Sequence, residues 1–160
     1  MPYHEYLTQS MAKIMGAKPI EVVVMNTLTA NLHLLMASFF SPTKKRPKIL
    51  IESDAFPSDR YAVQTQLQFH GHDPKDCLIE WSPREGETLL RVEDLESMLE
   101  KQGNEIALLL IGGVNYYTGQ YLDLKKIAEL GHSKGCKVGI DLAHGAGNIQ
   151  PDLHLSLIHI

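Results

Sequence analysis

Val138-Gly139-Ile140 is a short apolar run that ends on the carboxylate of Asp141, and His144 follows three residues later. The run reads as a buried strand, too apolar to be solvated. A carboxylate at the end of such a strand is costly to bury unless a cation or a strong donor meets it. Three roles fit. Asp141 could hold the protonated ring nitrogen of a bound heterocycle, which gives the pair chemistry to do. Asp141 and His144 could share a metal ion, although His154 and His159 add no recognisable ligand spacing and no metal is expected. Or Asp141 could simply cap a helix running from Leu142.

Three other segments carry groups of the same kind. Thr27-Leu28-Thr29 precedes a helical pattern, where free backbone N–H groups and a threonine hydroxyl make a phosphate site; the plain alternative is a threonine N-cap. Ala55-Phe56-Pro57-Ser58-Asp59 opens a helix, with Pro57 in its first turn and Ser58 or Asp59 able to cap it. Phe56 is either core or a ring that stacks on a flat ligand. Gly112-Gly113-Val114-Asn115-Tyr116-Tyr117-Thr118-Gly119 is a turn-rich loop whose glycines permit close backbone approach, and whose tyrosines line a pocket or pack. Trp81 to Gly86 reads as a polar turn with solvated charges. There is neither a Walker-type loop nor a GxGxxG after a strand, so nucleotide binding lacks its usual motifs.

The elements that must position these groups follow from periodicity. Helices are expected over Glu5 to Met15, stopped by Gly16, over Ala30 to Phe40, from Pro57 to His70, from Val92 to Gly103, and from Leu124 to Gly135. Strands are expected at Glu21 to Met25, Lys48 to Ile51, Cys77 to Trp81, Ile106 to Ile111 and Val138 to Ile140. Strands alternating with amphipathic helices predict an α/β fold, a mainly parallel sheet with helices on both faces. Right-handed crossovers then bring Asn26 to Thr29, Asp54 to Phe56, Gly112-Gly113 and Asp141 to one rim, where open α/β sheets bind ligands.

Composition is that of an ordinary globular chain. Of 160 residues, 44% are hydrophobic and 21% charged, and fifteen basic against nineteen acidic residues leave a net charge of −4. Without a basic stripe, nucleic acid is not an expected partner. No apolar run is long enough to span a membrane, and the N-terminus has no signal-peptide pattern. Cys77 and Cys136 allow one disulfide, but two thiols in a chain of this size suit a cytoplasmic protein.

Five segments, in this order, resemble the kynureninase family: Val24 to Met36, Ala55 to Asp59, Pro83 to Glu87, Gly113 to Gln120, and Asp141 to His144. The resemblance runs from about Tyr3 to about His154. It implies part of the large, cofactor-binding domain of a fold-type I pyridoxal-phosphate enzyme over residues 1–154, with residues 155–160 departing from the family pattern. On that departure, the tail is expected to be an artefact of sequencing or assembly, and Met1 to lie inside a longer protein. The implied activity is hydrolysis of L-kynurenine or 3-hydroxykynurenine to an anthranilate and L-alanine, in tryptophan catabolism and NAD synthesis.

By the same resemblance, Leu28 and Thr29 hold the phosphate of pyridoxal 5'-phosphate. Phe56 lies against the pyridine ring, and Pro57, Ser58 and Asp59 complete that wall. Asp141 pairs with the pyridinium nitrogen, and His144 sits beside the ring. Family members form homodimers whose active sites draw on both subunits. Some carry Ser or Thr where this chain has Gly112, so no side-chain contact is expected there. The family's Schiff-base lysine lies in a Ser-Tyr-Lys-like segment beyond the Asp-x-x-His; no lysine here occupies that place, so no catalytic residue is assigned and the chain alone is expected to be inactive. Two rivals stand beside this reading. One is a desulfurase or decarboxylase on the same fold, against which the Thr27 to Thr29 and Phe56 to Asp59 segments argue. The other is a non-catalytic α/β binding module, which the missing lysine permits.

Overall fold

The computed structural model describes residues 3–156. Four strands form one sheet in the order β2-β1-β3-β4, with every neighbouring pair parallel: β1 is Lys48–Glu52, β2 Leu78–Trp81, β3 Ile106–Gly112 and β4 Lys137–Asp141. Helix α1 (Tyr3–Met15) and a 3-10 turn at Pro19–Glu21 precede α2 (Leu28–Phe39). Helix α3 (Pro57–Phe69) and the single turn α4 (Pro74–Cys77) link β1 to β2. Helix α5 (Val92–Gln102) carries the chain to β3, α6 (Leu124–Ser133) to β4, and α7 (Leu153–Ser156) follows. The α/β class and parallel sheet expected from the sequence are found.

Strand alternation sends successive side chains to opposite faces. Ile49, Ile51, Leu108 and Leu110 pack with Leu32, Met36 and Phe40 of α2 and its end, and with Val63 and Leu67 of α3. Leu50, Leu109 and Ile111 pack on the other face with Leu95 and Leu99 of α5 and Ile127 of α6. The sheet is therefore covered on both sides, which its uninterrupted apolar strands require. Cys77 belongs to the first layer and Cys136 to the second; both are buried free thiols, separated by the sheet, so the disulfide that their number allows does not form. Among the described residues no helix is long and apolar enough to cross a membrane.

The strand order holds a reversal. From β1 the chain moves to one side to make β2, then returns past β1 to make β3 and β4. The connections leave the carboxyl ends of β1 and β3 in opposite directions and open a crevice between them. At the amino edge, Arg46 closes the sheet instead. Its guanidinium donates to the carbonyls of Gly103, Asn104, Lys134 and Gly135, which lie just before β3 and β4.

Several expectations are corrected. Residues 22–25 alternate half-buried and exposed, and Val22 is extended, but the run pairs with no strand among the described residues, so its β-branched composition produces no ladder. Helix α2 begins at Leu28 rather than Ala30. Cys77 ends the turn α4, capped by Asp73, rather than starting β2. Trp81 is fully buried at the end of β2 rather than part of a polar turn. Ser58 and Asp59 do not cap α3, whose N-cap is Phe56 without a side-chain bond. No helix runs from Leu142; that segment is a series of turns. Residues 157–160 of the expected tail lie outside the described residues.

Candidate functional site

The crevice between β1 and β3 is lined by Ile51 and Glu52 of β1, Asp59 and Val63 of α3, Gly112 of β3 and Asp141 of β4, among others. Its floor is acidic. Glu52, at the end of β1, is 5% exposed, and its carboxylate oxygens accept the Gly112 N–H at 3.1 and 3.0 Å. Asp59 sits one turn into α3, 8% exposed, hydrogen-bonded to the Asp141 side chain and receiving the Ser58 hydroxyl at 3.2 Å. Asp141 Oδ1 also accepts the Ala143 N–H at 2.7 Å, so the acid caps a turn while facing the crevice.

Burial pushes the Asp59 carboxyl up to about 7, helped by its hydrogen bond to Asp141 and by the charges of Asp141 and Glu52, with the Ser58 hydroxyl opposing. Two carboxyls in contact cannot both ionise cheaply, which is part of why Asp59 gives up its proton less readily than a free acid. Burial also raises Glu52; the Gly112 N–H pulls it back and the charges of Asp141 and Asp54 raise it further. None of the three acids forms an ion pair with another described residue. The described residues also offer no group of three or more His, Cys, Asp or Glu suited to a metal ion.

Three rings stand beside this floor. Phe56 and Tyr116 meet edge to face at 5.0 Å between centroids, and His144 lies 6.2 Å from each, tilted by 40° and 37°. The loop that carries Tyr116 is held by Asn115, 6% exposed, whose Oδ1 accepts Tyr117 N, Thr118 N and the Thr118 hydroxyl at 2.9–3.1 Å. Asn115 Nδ2 donates to the Asp54 carbonyl at 3.4 Å and ties this loop to the exit of β1. Tyr117 is 81% exposed and does not line the crevice floor; its ring lies 6.4 Å from that of Tyr116, tilted by 60°.

The structure thus joins Asp59 to Asp141, and Phe56 to His144, with Ser58 bonded to Asp59 and Pro57 opening α3. Leu28 and Thr29 do not line the crevice. They are exposed in the first turn of α2, where Thr27 Oγ1 accepts the Ala30 N–H at 3.5 Å and the first N–H groups have no partner within the helix. Asn26, just ahead, takes a left-handed φ of 50°, which bends the chain into that helix. Sequence reading missed Glu52 and Asn115. A signal for Glu52 was there: Lys48-Ile49-Leu50-Ile51-Glu52 is an apolar strand ending on a carboxylate, the pattern already noted at Asp141.

Comparison with known proteins bears on the family and the fold. Residues 3–156 match the aminotransferase class-V family. The chain is 57% identical over 152 residues to a kynureninase of Myxococcus xanthus, covering 95% of this chain and 36% of that protein. It is 59% identical to the kynureninase of Flavobacterium psychrophilum, with the same shares covered, and 55% identical to that of Nematostella vectensis, covering 96% and 33%. The chain therefore spans about a third of the length of these curated relatives. Among solved structures, a cysteine desulfurase from Thermococcus onnurineus superposes with a TM-score of 0.73 at 18% identity, covering 94% of this chain and 35% of that one. A C-DES mutant with glycine covalently linked to its PLP cofactor superposes with a TM-score of 0.77 at 17% identity, covering 94% and 38%. At those identities the likeness speaks of fold alone.

Proposed function

The chain belongs to the aminotransferase class-V family, and on that premise we propose that it is the cofactor-holding portion of a kynureninase. The proposed reaction is hydrolysis of L-kynurenine or 3-hydroxykynurenine to the corresponding anthranilate and L-alanine. The high identity to kynureninases across nearly the whole chain supports this substrate. The desulfurase alternative rests on fold likeness alone and is not favoured. Reducing, cytoplasmic surroundings and a homodimeric whole protein belong to the same proposal; the buried free thiols of Cys77 and Cys136 suit the former.

One observation carries the cofactor reading. Glu52, Asp59 and Asp141 gather at the sheet's switch point with no cationic partner among the described residues. Two buried acids and a half-buried one, without a counter-ion, suit a ligand that brings a positive nitrogen. Pyridoxal 5'-phosphate fits this set, and when bound it supplies an electron sink for bond cleavage next to an amino-acid carbon. Asp141, with Asp59 hydrogen-bonded to it, would keep a proton on the ring nitrogen. Phe56 and His144 would flank the ring, with Pro57 and Ser58 completing that wall. Leu28 and Thr29 would offer the open N–H groups of α2 to the phosphate.

These residues bind and orient; none of them supplies the lysine that the family's covalent chemistry uses, so the chain alone is proposed to have no turnover. The test is a chimera in which this chain replaces the matching segment of the Flavobacterium psychrophilum kynureninase. It should release L-alanine from L-kynurenine or its 3-hydroxy form. A folded, cofactor-loaded chimera that acts on neither contradicts the substrate reading.

A further inference from the structure

The pairing between β1 and β3 is registered as far as Leu50 opposite Leu109, yet β1 continues to Glu52 and β3 to Gly112. The two strands part there, which is what opens the crevice. Across the gap the Glu52 side chain does what a backbone rung would have done, accepting the Gly112 N–H with both oxygens. On its far side the end of β3 is stitched to β4: Gly112 stands in register with Asp141, and Gly113 N–H donates to the Asp141 carbonyl at 2.8 Å. A chain of contacts thus runs from Glu52 through Gly112 and Gly113 to the backbone of Asp141.

We propose that Glu52 is a positioning residue for Asp141: it holds the end of β3 at the point where the sheet splits, and thereby fixes where β4 presents its terminal carboxylate. The space around Gly112 agrees. A Cβ built there would stand 2.6 Å from Glu52 Oε1, so a glycine is what lets the carboxylate reach the N–H. Among the described residues, Glu52 is buried, pairs with no cation and is taken up by no other side chain. Its purpose rests on the cofactor reading given above, but its geometry does not.

The test compares the 160-residue chain with its Glu52→Gln and Glu52→Ala variants by amide hydrogen exchange. Glutamine keeps a carbonyl oxygen for the Gly112 N–H and should leave exchange at Gly112 and Gly113 near that of the parent chain. Alanine should speed exchange at both by about tenfold or more, while core amides of β1 such as Ile49 stay protected. If Glu52→Ala does not fold, Gly112→Ala attacks the same contact from the other side and should speed Gly113 exchange in the same way. Pyridoxal 5'-phosphate is then titrated into each variant; the alanine variant should bind about tenfold more weakly than the glutamine variant. Unchanged Gly113 exchange in the alanine variants overturns the positioning role. So does glutamine behaving like alanine. Failure of the parent chain itself to take up the cofactor contradicts the earlier reading instead, and leaves the exchange result to decide this one.

Discussion

The carboxyl groups of Asp59 and Asp141 are hydrogen-bonded to each other in the crevice between β1 and β3. One acid comes from the first turn of α3 and the other from the last residue of β4. Two such groups repel when both are ionised, unless a positive group lies against them. That repulsion bears on the stability of the chain and on the proposed binding.

The first consequence is a pH dependence. The Asp59 carboxyl is raised in the folded chain to about 7, above its unfolded value. A raised acid contributes stability fully below its unfolded pKa, and that contribution is lost as pH climbs through the folded one. The site should therefore lower the melting temperature between about pH 4 and pH 7. Asp59→Asn keeps a hydrogen bond to Asp141 without the ionisable proton, so its melting temperature relative to the parent chain should rise across that interval. A difference that stays flat with pH contradicts the raised Asp59 carboxyl.

At the opposite edge of the sheet, Arg46 gathers the carbonyls of Gly103, Asn104, Lys134 and Gly135. Arg46→Ala leaves carbonyls unanswered where two helices end, and should cost about 2–3 kcal/mol in urea denaturation. Arg46→Lys should recover only a small part, because an ammonium cannot reach carbonyls spread around a planar fork. Full recovery by lysine would show that charge alone, not the fork, matters there.

Gly131 sets two effects against each other. Alanine in a helix interior is favoured over glycine by about 1 kcal/mol. Here, however, a Cβ would lie 2.6 Å from Val138 Cγ2 and 3.2 Å from Leu109 Cδ2, where α6 presses on β3 and β4. Overpacking of that kind costs about 1–3 kcal/mol. Gly131→Ala should therefore destabilise the chain, with the denaturation midpoint falling rather than rising.

The parts legible in the sequence were those whose signal is local. The apolar runs of β1 and β3 and the helical spacing of Leu95 and Leu99 in α5 announce buried elements by themselves, whereas the run of β4, expected to be buried, forms an edge strand that is only half-buried. Asp141 announced itself as an acid that ends such a run. What stayed hidden depends on partners far along the chain. Residues 22–25 have strand composition, but a strand needs a neighbour, and none pairs with them among the described residues. Glu52 ends an apolar run as Asp141 does, but its role shows only when Gly112, sixty residues away, is seen to donate to it. Trp81 was disguised by the polar residues that follow it, though it closes β2 inside the core. The crevice itself follows from strand order, which periodicity does not encode.

In the proposed reading, Asp141, supported by Asp59, holds a protonated ring nitrogen. That role is tested most directly by calorimetric titration with two ligands: pyridoxal 5'-phosphate, and an analogue in which a C–H replaces the ring nitrogen. The parent chain should bind the first more tightly by about 10–100-fold, as expected for a hydrogen bond between charged groups. The Asp141→Ala variant should bind both alike, at the level of the analogue. Equal affinity of the parent chain for the two ligands would rule out that role for Asp141.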